Sequence, residues 1–285
     1  MASNKLKDFF SILDLSNSLF GLPFAYLGGI LAAGGWPTLY QMFWITVAMV
    51  SARTAAMCLN RLIDRHIDRA NPRTSHWALA EGRLSVNLVW LLVPILFIIL
   101  FYAASRLNPL CLKLAPLAVA VLWLYSYTKR FTWLCHLFLG MAIGIGPVGA
   151  WIAVTGTFDW QPFLLGAAVA FWIAGFDTIY ACPDEGFDRS SGLYSAPVRF
   201  GTAGALLFAK LLHVLVVLFF VINGLVFALG KYYYIGVFLA AMLLLYEHMI
   251  VQPDNLSKVT LIFSKINHWV GLIIFVFTLI DIFGI

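Results

Sequence analysis

The segment Tyr40–Asp68 reads YQMFWITVAMVSARTAAMCLNRLIDRHID. Its first two thirds are almost wholly apolar and reach the length of about 20 residues that a bilayer-crossing helix needs. The chain then turns polar, with Asn60, Asp64 and Asp68 spaced four apart. On a helix such positions share one face. Arg53 stands seven residues before Asn60, two turns deeper on the same face. A charge at membrane depth is costly and marks a functional site. The segment therefore predicts a spanning helix with a cluster of oxygen ligands at one end.

The rest of the chain agrees. Hydrophobic residues make up 62% of the 285 and charged residues 11%, with a mean hydropathy of +0.91. A soluble domain carries about 25% charged residues. Nine candidate spans fall at roughly 18–35, 40–60, 87–106, 109–128, 133–154, 162–182, 203–229, 232–250 and 266–284. Turn signals at Gly34-Gly35-Trp36-Pro37, Asn108-Pro109, Gly156 and Gly230 separate several of them. The expected fold is all-α: a membrane bundle of nine transmembrane helices in a single domain, 1–285, without linkers. Met1–Ser16 reads as an amphipathic lead-in at the lipid interface, and no cleavable signal peptide is expected. Cys58, Cys111, Cys135 and Cys182 show no paired spacing and read as small buried apolar residues.

The net charge of +5 does not imply nucleic acid, because the basic residues sit in short loops between apolar runs. The loops after the second, fourth, sixth and eighth spans hold eleven Lys and Arg, among them Arg61, Arg65, Lys129, Arg130, Arg189 and Lys258. The loops on the other side hold Arg106 and Lys231, with Lys113 just inside the fourth span. Positive loops stay inside, so the even loops and the N-terminus are expected in the cytoplasm.

Of thirteen acidic residues, Asp64, Asp68 and Glu81 gather at or after the end of the second span, and Asp177, Asp184, Glu185 and Asp188 at the end of the sixth. Both clusters fall on the cytoplasmic side. Tyr180, Asp184 and Asp188 repeat the interval of four, with Asp177 one turn before Tyr180. Carboxylates are hard ligands, and Mg²⁺ binds through one or two of them plus substrate phosphates. Two facing clusters suit two or three Mg²⁺ ions with a diphosphate between them. The plainer reading is salt bridges with nearby Arg residues. Surface ion pairs are worth little, and two clusters on one membrane face argue against it. Arg53 either grips a substrate carboxylate or diphosphate oxygen or pairs with a carboxylate such as Asp177. Tyr125 with Lys129 and Arg130 either meets diphosphate or marks topology. Arg69, Arg73 and Arg83 suit phosphate or a headgroup-facing loop equally.

At these residues the chain resembles the UbiA superfamily of intramembrane prenyltransferases. The resemblance rests on Asn60-Arg-Leu-Ile-Asp64-Arg-His-Ile-Asp68, Asn71-Pro-Arg-Thr74 and Gly82-Arg-Leu-Ser85 in the first half. In the second half it rests on Asp177-Thr-Ile-Tyr180-Ala, Asp184, Asp188, Gly192-x₂-Ser195 and Arg199-Phe-Gly201. Tyr125-x₃-Lys129-Arg130 is also similar to the family. The wording is closest to the branches that act on 4-hydroxybenzoate and on dihydroxynaphthoate, in ubiquinone and menaquinone synthesis.

The resemblance implies a nine-helix bundle whose central cavity opens sideways to lipid, in a bacterial inner membrane with the site toward the cytoplasm. It implies a polyprenyl diphosphate donor and a small aromatic carboxylic acid as acceptor. Asn60, Asp64, Asp68, Asp177, Asp184 and Asp188 would bind Mg²⁺–diphosphate. Arg53, Tyr125, Lys129, Arg130 and Tyr180 would bind substrate. Asp177 is the candidate to take the phenol or ring proton. The chain departs from the family at Trp77-Ala78, where many relatives have Arg-Pro, and this removes one expected diphosphate contact. It also has Pro183 directly before Asp184, which disfavours helix at Cys182 and predicts a new short helix carrying Asp184 and Asp188.

Two other classes compete. A transporter would use intramembrane Arg and Asp for an ion path, but here the charges collect at one face. A CDP-alcohol phosphotransferase would pack its Asp residues, with Asp-Gly and Ala-Arg, into one stretch that this chain lacks. Haem, chlorophyll and tocopherol branches stay open within the prenyltransferases.

Overall fold

The computed structural model describes residues 21–261 and 266–284, with Asp8, Ser11 and Ile12. The rest of the expected lead-in Met1–Ser16 lies outside the described residues, as do the first residues of the 18–35 span. Among the described residues there is no strand, only an isolated bridge between Gln252 and Asn255.

Nine helices of twelve or more described residues occur, in order: α1 Leu22–Ala33, α2 Leu39–Ala70, α3 Val86–Leu107, α4 Pro109–Thr128, α5 Cys135–Thr155, α6 Pro162–Ala181, α7 Ala196–Val226, α8 Lys231–Ile250 and α9 Asn267–Phe283. Seven of them, α2 to α8, are long and apolar enough to cross a membrane. α1 has 12 residues and α9 has 17. At 1.5 Å per residue these span about 18 and 26 Å, short of the ~30 Å hydrocarbon core. Outward-facing Ile98, Leu117, Leu225 and Phe238 are exposed on the bundle surface, where lipid would cover them.

The helix ends obey local chemistry. Gly34 and Gly156 close α1 and α5 at φ 61° and 71°, a left-handed conformation that glycine adopts without strain. Thr38 and Gln41 form a capping box at the start of α2. Asn108 both ends α3 and caps α4, accepting from the Cys111 N–H at 2.9 Å, so these two helices turn on a single residue.

α2 outlasts the apolar span and carries Asn60, Asp64 and Asp68 on one helix, as their spacing predicts. It continues past residue 60 as one 32-residue helix to Ala70. It stops at Asn71 because Pro72 disfavours helix at the residue before it. The drop in hydropathy after Leu59 marks where the helix meets a polar cavity rather than where it ends. α7 also starts earlier than expected, at Ala196, and is broken by non-helical Gly201 at φ 70°.

Backbones approach closely where glycines meet. On α5, Gly140 faces the Ala170 carbonyl and Gly144 faces the Gly166 carbonyl of α6, with no room for a Cβ at either. In lipid, helix association relies on such small-residue contacts. Gly140→Ala is expected to cost about 1–3 kcal/mol, the usual cost of overpacking. Thermal unfolding in detergent measures it, and an unchanged melting temperature would refute the close contact.

A buried hydrogen-bond chain ties three helices together. Trp172 Nε1 on α6 donates to Asn267 Oδ1 at 3.0 Å, and Asn267 Nδ2 on α9 donates to Glu247 Oε1 on α8 at 3.2 Å. Away from water, polar groups need such partners. All four cysteines are free; Cys58, Cys135 and Cys182 are buried, and Cys111 is half-buried.

Candidate active site

A polar cavity of 390 Å³ lies at the end of the bundle where α2 and α6 lose their apolar character. α2 supplies Arg53, Asn60, Arg61, Asp64 and Asp68, which its helical repeat holds along one side. The segment after it adds Asn71, Arg73 and Trp77. α4 and its C-cap add Tyr125 and Lys129, α5 adds His136, and α6 adds Asp177 and Tyr180, with Asp184 just beyond its end.

Pro183 sets the second acidic cluster. α6 ends at Ala181, a 3₁₀ turn covers Cys182–Asp184, and a short helix runs over Glu185–Ser190. Asp184 therefore does not continue the spacing of α6. It turns toward the segment after α2, where it accepts from Asn71 Nδ2 at 3.1 Å and from Arg73 Nε at 2.9 Å, and forms an ion pair with the Arg73 guanidinium. Arg73 also donates to the Tyr180 hydroxyl at 2.7 Å and lies over its ring at 4.6 Å. Burial opposes the Arg73 charge, but the Asp184 carboxylate outweighs it, and its pKa rises above the ordinary value.

Most of the residues read from sequence meet here. Asp64, Asp68, Asp177, Asp184, Arg53, Asn60, Tyr125, Lys129 and Tyr180 all line the cavity. Two do not. Asp188 is fully buried behind the wall, its Oδ1 2.9 Å from Lys129 Nζ. Arg130 also lies outside the lining. It pairs with Asp64 at 2.8 Å and donates to the carbonyls of Ile63 and Ser126 at 3.0 and 3.1 Å. Burial works against the Lys129 charge, but Asp188 overcomes it, so its pKa lies above the usual lysine value. Arg69 is exposed and absent from the lining. Arg83 pairs with Glu81 at 2.7 Å and with Asp8.

Three further lining residues carry no signal in the sequence that assigns them a partner. His136 Nδ1 lies 2.7 Å from Asp177 Oδ2. Asn71 holds Asp184. Trp77 lies under the Arg61 guanidinium at 4.3 Å, so the departure at this position puts an aromatic platform at the cavity. Nothing in their spacing relates these residues to partners far along the chain.

A second cavity, apolar and of 290 Å³, adjoins the first. Arg53, Tyr125, Leu139 and Ile143 belong to both linings. Its walls mix large apolar residues with many small ones, including Ala48, Ala52, Ala104, Ala118 and Gly149, and it reaches Leu117, Phe158 and Phe163, which are exposed.

Among the described residues no three His, Cys, Asp or Glu side chains converge on one point as a ready metal site. The donors are nonetheless hard oxygens, delivered to one cavity from two sides. Its lining holds four carboxylates against four Lys and Arg. An anionic diphosphate alone would leave that balance negative, whereas divalent cations entering with it would restore it. Mg²⁺ favours few protein ligands completed by substrate phosphates, which fits dispersed carboxylates.

A family model described as the UbiA prenyltransferase family matches residues 21–271. A 4-hydroxybenzoate octaprenyltransferase of Azotobacter vinelandii is 31% identical over 251 residues, covering 88% of this chain and 84% of that protein. Another, from Francisella tularensis subsp. novicida, is 29% identical over 253 residues and covers 88% of each. Among solved structures, the apo structure of a UbiA homologue from Aeropyrum pernix K1 is 33% identical with a TM-score of 0.85, covering 93% of this chain and 98% of that one. A UbiA homologue from Archaeoglobus fulgidus bound to DMAPP and Mg²⁺ has a TM-score of 0.64 at 20% identity, over 92% of this chain and 97% of that one. At that identity the likeness is one of fold.

Proposed function

The chain belongs to the UbiA prenyltransferase family, and from that premise we propose that it transfers a polyprenyl group from its diphosphate to a small aromatic carboxylic acid of the 4-hydroxybenzoate type, in respiratory quinone synthesis. It is a multi-pass membrane transferase. One observation carries the reading of the substrate. The polar cavity adjoins the apolar one, with Arg53 and Tyr125 in both linings, which suits a donor with a charged head and a long apolar tail. The names of the relatives support the acceptor class.

In this reading Asn60, Asp64, Asp68 and Asp184 would hold Mg²⁺ together with the diphosphate. Mg²⁺ bound there supplies Lewis-acid neutralisation of the leaving group's charge. Lys129 and Arg73 add fixed positive charge beside the phosphates. Arg53, at the junction, grips the acceptor's carboxylate or a diphosphate oxygen by a bidentate contact. The apolar walls exclude water, which would otherwise quench the allylic cation. The acceptor ring attacks beside its hydroxyl, and Asp177 takes the proton. Asp188 supports the site indirectly, by holding Lys129.

The same reading takes the chain as one domain, with α1 and α9 as short spans that complete nine crossings. The polar cavity then faces the cytoplasm of a bacterial inner membrane, as the Lys and Arg distribution supports.

The test incubates membranes holding the protein with geranyl diphosphate and Mg²⁺, with 4-hydroxybenzoate and 1,4-dihydroxy-6-naphthoate in parallel, read by mass spectrometry. Prenylated 4-hydroxybenzoate is expected. Product with the naphthoate alone moves the protein to the menaquinone branch. Diphosphate release without product from either overturns the acceptor class. Intact donor throughout, with a longer polyprenyl donor as well, overturns prenyl transfer.

A further inference from the structure

We propose that His136 is a positioning residue for the transfer step: it aims the Asp177 carboxylate at the acceptor ring. The proposal rests on the prenyl-transfer reading above. His136 sits in the first turn of α5 with its side chain 5% exposed, and it lines the polar cavity. Its two ring nitrogens have different partners. The Ala196 N–H donates to Nε2 at 3.4 Å, while Nδ1 lies 2.7 Å from Asp177 Oδ2. An ionised carboxylate only accepts, so Nδ1 is the donor to Asp177.

This arrangement differs from that of the neighbouring carboxylates. Asp64 and Asp184 are paired with the guanidinium groups of Arg130 and Arg73. Each of those guanidinium groups is held by its own further contacts, whereas the single Nδ1 contact of His136 fixes the direction of the Asp177 carboxylate through one oxygen. Of the two Asp177 oxygens, only Oδ2 is hydrogen-bonded among the described residues. The side chain is 24% exposed and lines the cavity, which leaves Oδ1 for the substrate. In the step it serves, the bond between prenyl C1 and the diphosphate oxygen breaks, and its electron pair leaves with diphosphate. The ring carbon bonds to C1. The proton on that carbon passes to Asp177 Oδ1, and the C–H electrons restore the aromatic ring. His136 neither gains nor loses a proton. It acts through Asp177, anchored from the far side by the start of α7.

The amide nitrogen of Asn lies near the position of His Nδ1, and that of Gln nearer Nε2. The test therefore measures prenylated acceptor and released diphosphate side by side for wild type, His136→Ala, His136→Asn, His136→Gln and Asp177→Asn, in membranes with geranyl diphosphate, Mg²⁺ and the acceptor. For His136→Ala, transfer is expected to fall by about 10²-fold, the usual cost of misplacing a catalytic group by about 1 Å. Diphosphate release and the KM for the donor are expected to hold, so product per diphosphate drops. His136→Asn is expected to recover most of the loss, and His136→Gln is not. The double variant with Asp177→Asn is expected to be no worse than Asp177→Asn alone, because both changes remove one function. Equal loss in the Asn and Gln variants, a parallel fall of product and diphosphate release, a raised Mg²⁺ requirement, or multiplying losses in the double variant would each overturn the role. Thermal unfolding separates these outcomes from loss of fold, since His136→Asn keeps the donor and the packing. A wild type that releases diphosphate but prenylates nothing would overturn the transfer reading, and this proposal with it.

Discussion

Asp64→Ala is expected to lower prenyl transfer by about 10²- to 10⁴-fold, the several kcal/mol that Lewis-acid stabilisation of a leaving group supplies, at 1.36 kcal/mol per tenfold. Asp64 stands in the middle of the α2 row. It accepts from Asn60 Nδ2 at 3.2 Å and pairs with Arg130 at 2.8 Å. Removing it takes away a hard oxygen ligand and releases the Arg130 guanidinium from its partner. Asp64→Asn keeps the shape and is expected to lose activity nearly as far. EDTA applied to wild type is expected to match both, with restoration by added Mg²⁺. Full activity in EDTA would sink the metal reading, whatever the variants did.

The second large effect concerns stability. Lys129→Met is expected to destabilise the protein by about 3–5 kcal/mol, the usual cost of leaving one partner of a buried ion pair alone. The partner is Asp188, fully buried. Lys129→Met combined with Asp188→Leu is expected to recover most of the loss, since removing both charges removes the uncompensated one. Unfolding in detergent is the measurement. If Lys129→Met melted like wild type, the pair would be structurally idle. The pH dependence has a definite sign. The Lys129 pKa is raised on folding, so its stabilisation is full below the ordinary lysine value. It is lost only as pH rises through the higher folded value. The stability contributed by the Lys129 charge is therefore flat across neutral pH and falls at the alkaline end. Activity in Asp188→Asn is expected to suffer less than in Asp64→Asn, because Asp188 does not reach the cavity.

Helical periodicity accounts for one acidic cluster better than for the other. Arg53, Asn60, Asp64 and Asp68 fall on one face of α2 because a regular helix repeats every 3.6 residues, and all four line the cavity. The same rule failed at Asp188. Pro183 ends the α-helix, and the 3₁₀ turn redirects the residues beyond it. Pro183 itself flagged a break, but not the direction the chain would take. Arg130, adjacent to Lys129, turns toward backbone carbonyls and Asp64 instead of the cavity. The apolar span ends near residue 60 while the helix itself runs on to Ala70, as the spacing of Asn60, Asp64 and Asp68 predicts, because hydropathy records the solvent around a helix and not its backbone.

The sequence by itself determined the helical membrane architecture, the breaks at Gly34, Asn108, Gly156 and Gly230, and the gathering of acidic residues at the ends of α2 and α6. These arise from local properties: apolar length, capping and helical repeat. Only the tertiary structure decided which base each carboxylate meets. Arg73 reaches Asp184 across 111 residues of chain, and His136 reaches Asp177 across 41. It also decided that the polar cavity adjoins an apolar one at Arg53. Such pairings depend on how separate helices pack, through contacts like those of Gly140 and Gly144 of α5 against α6, and no periodicity along the chain encodes them.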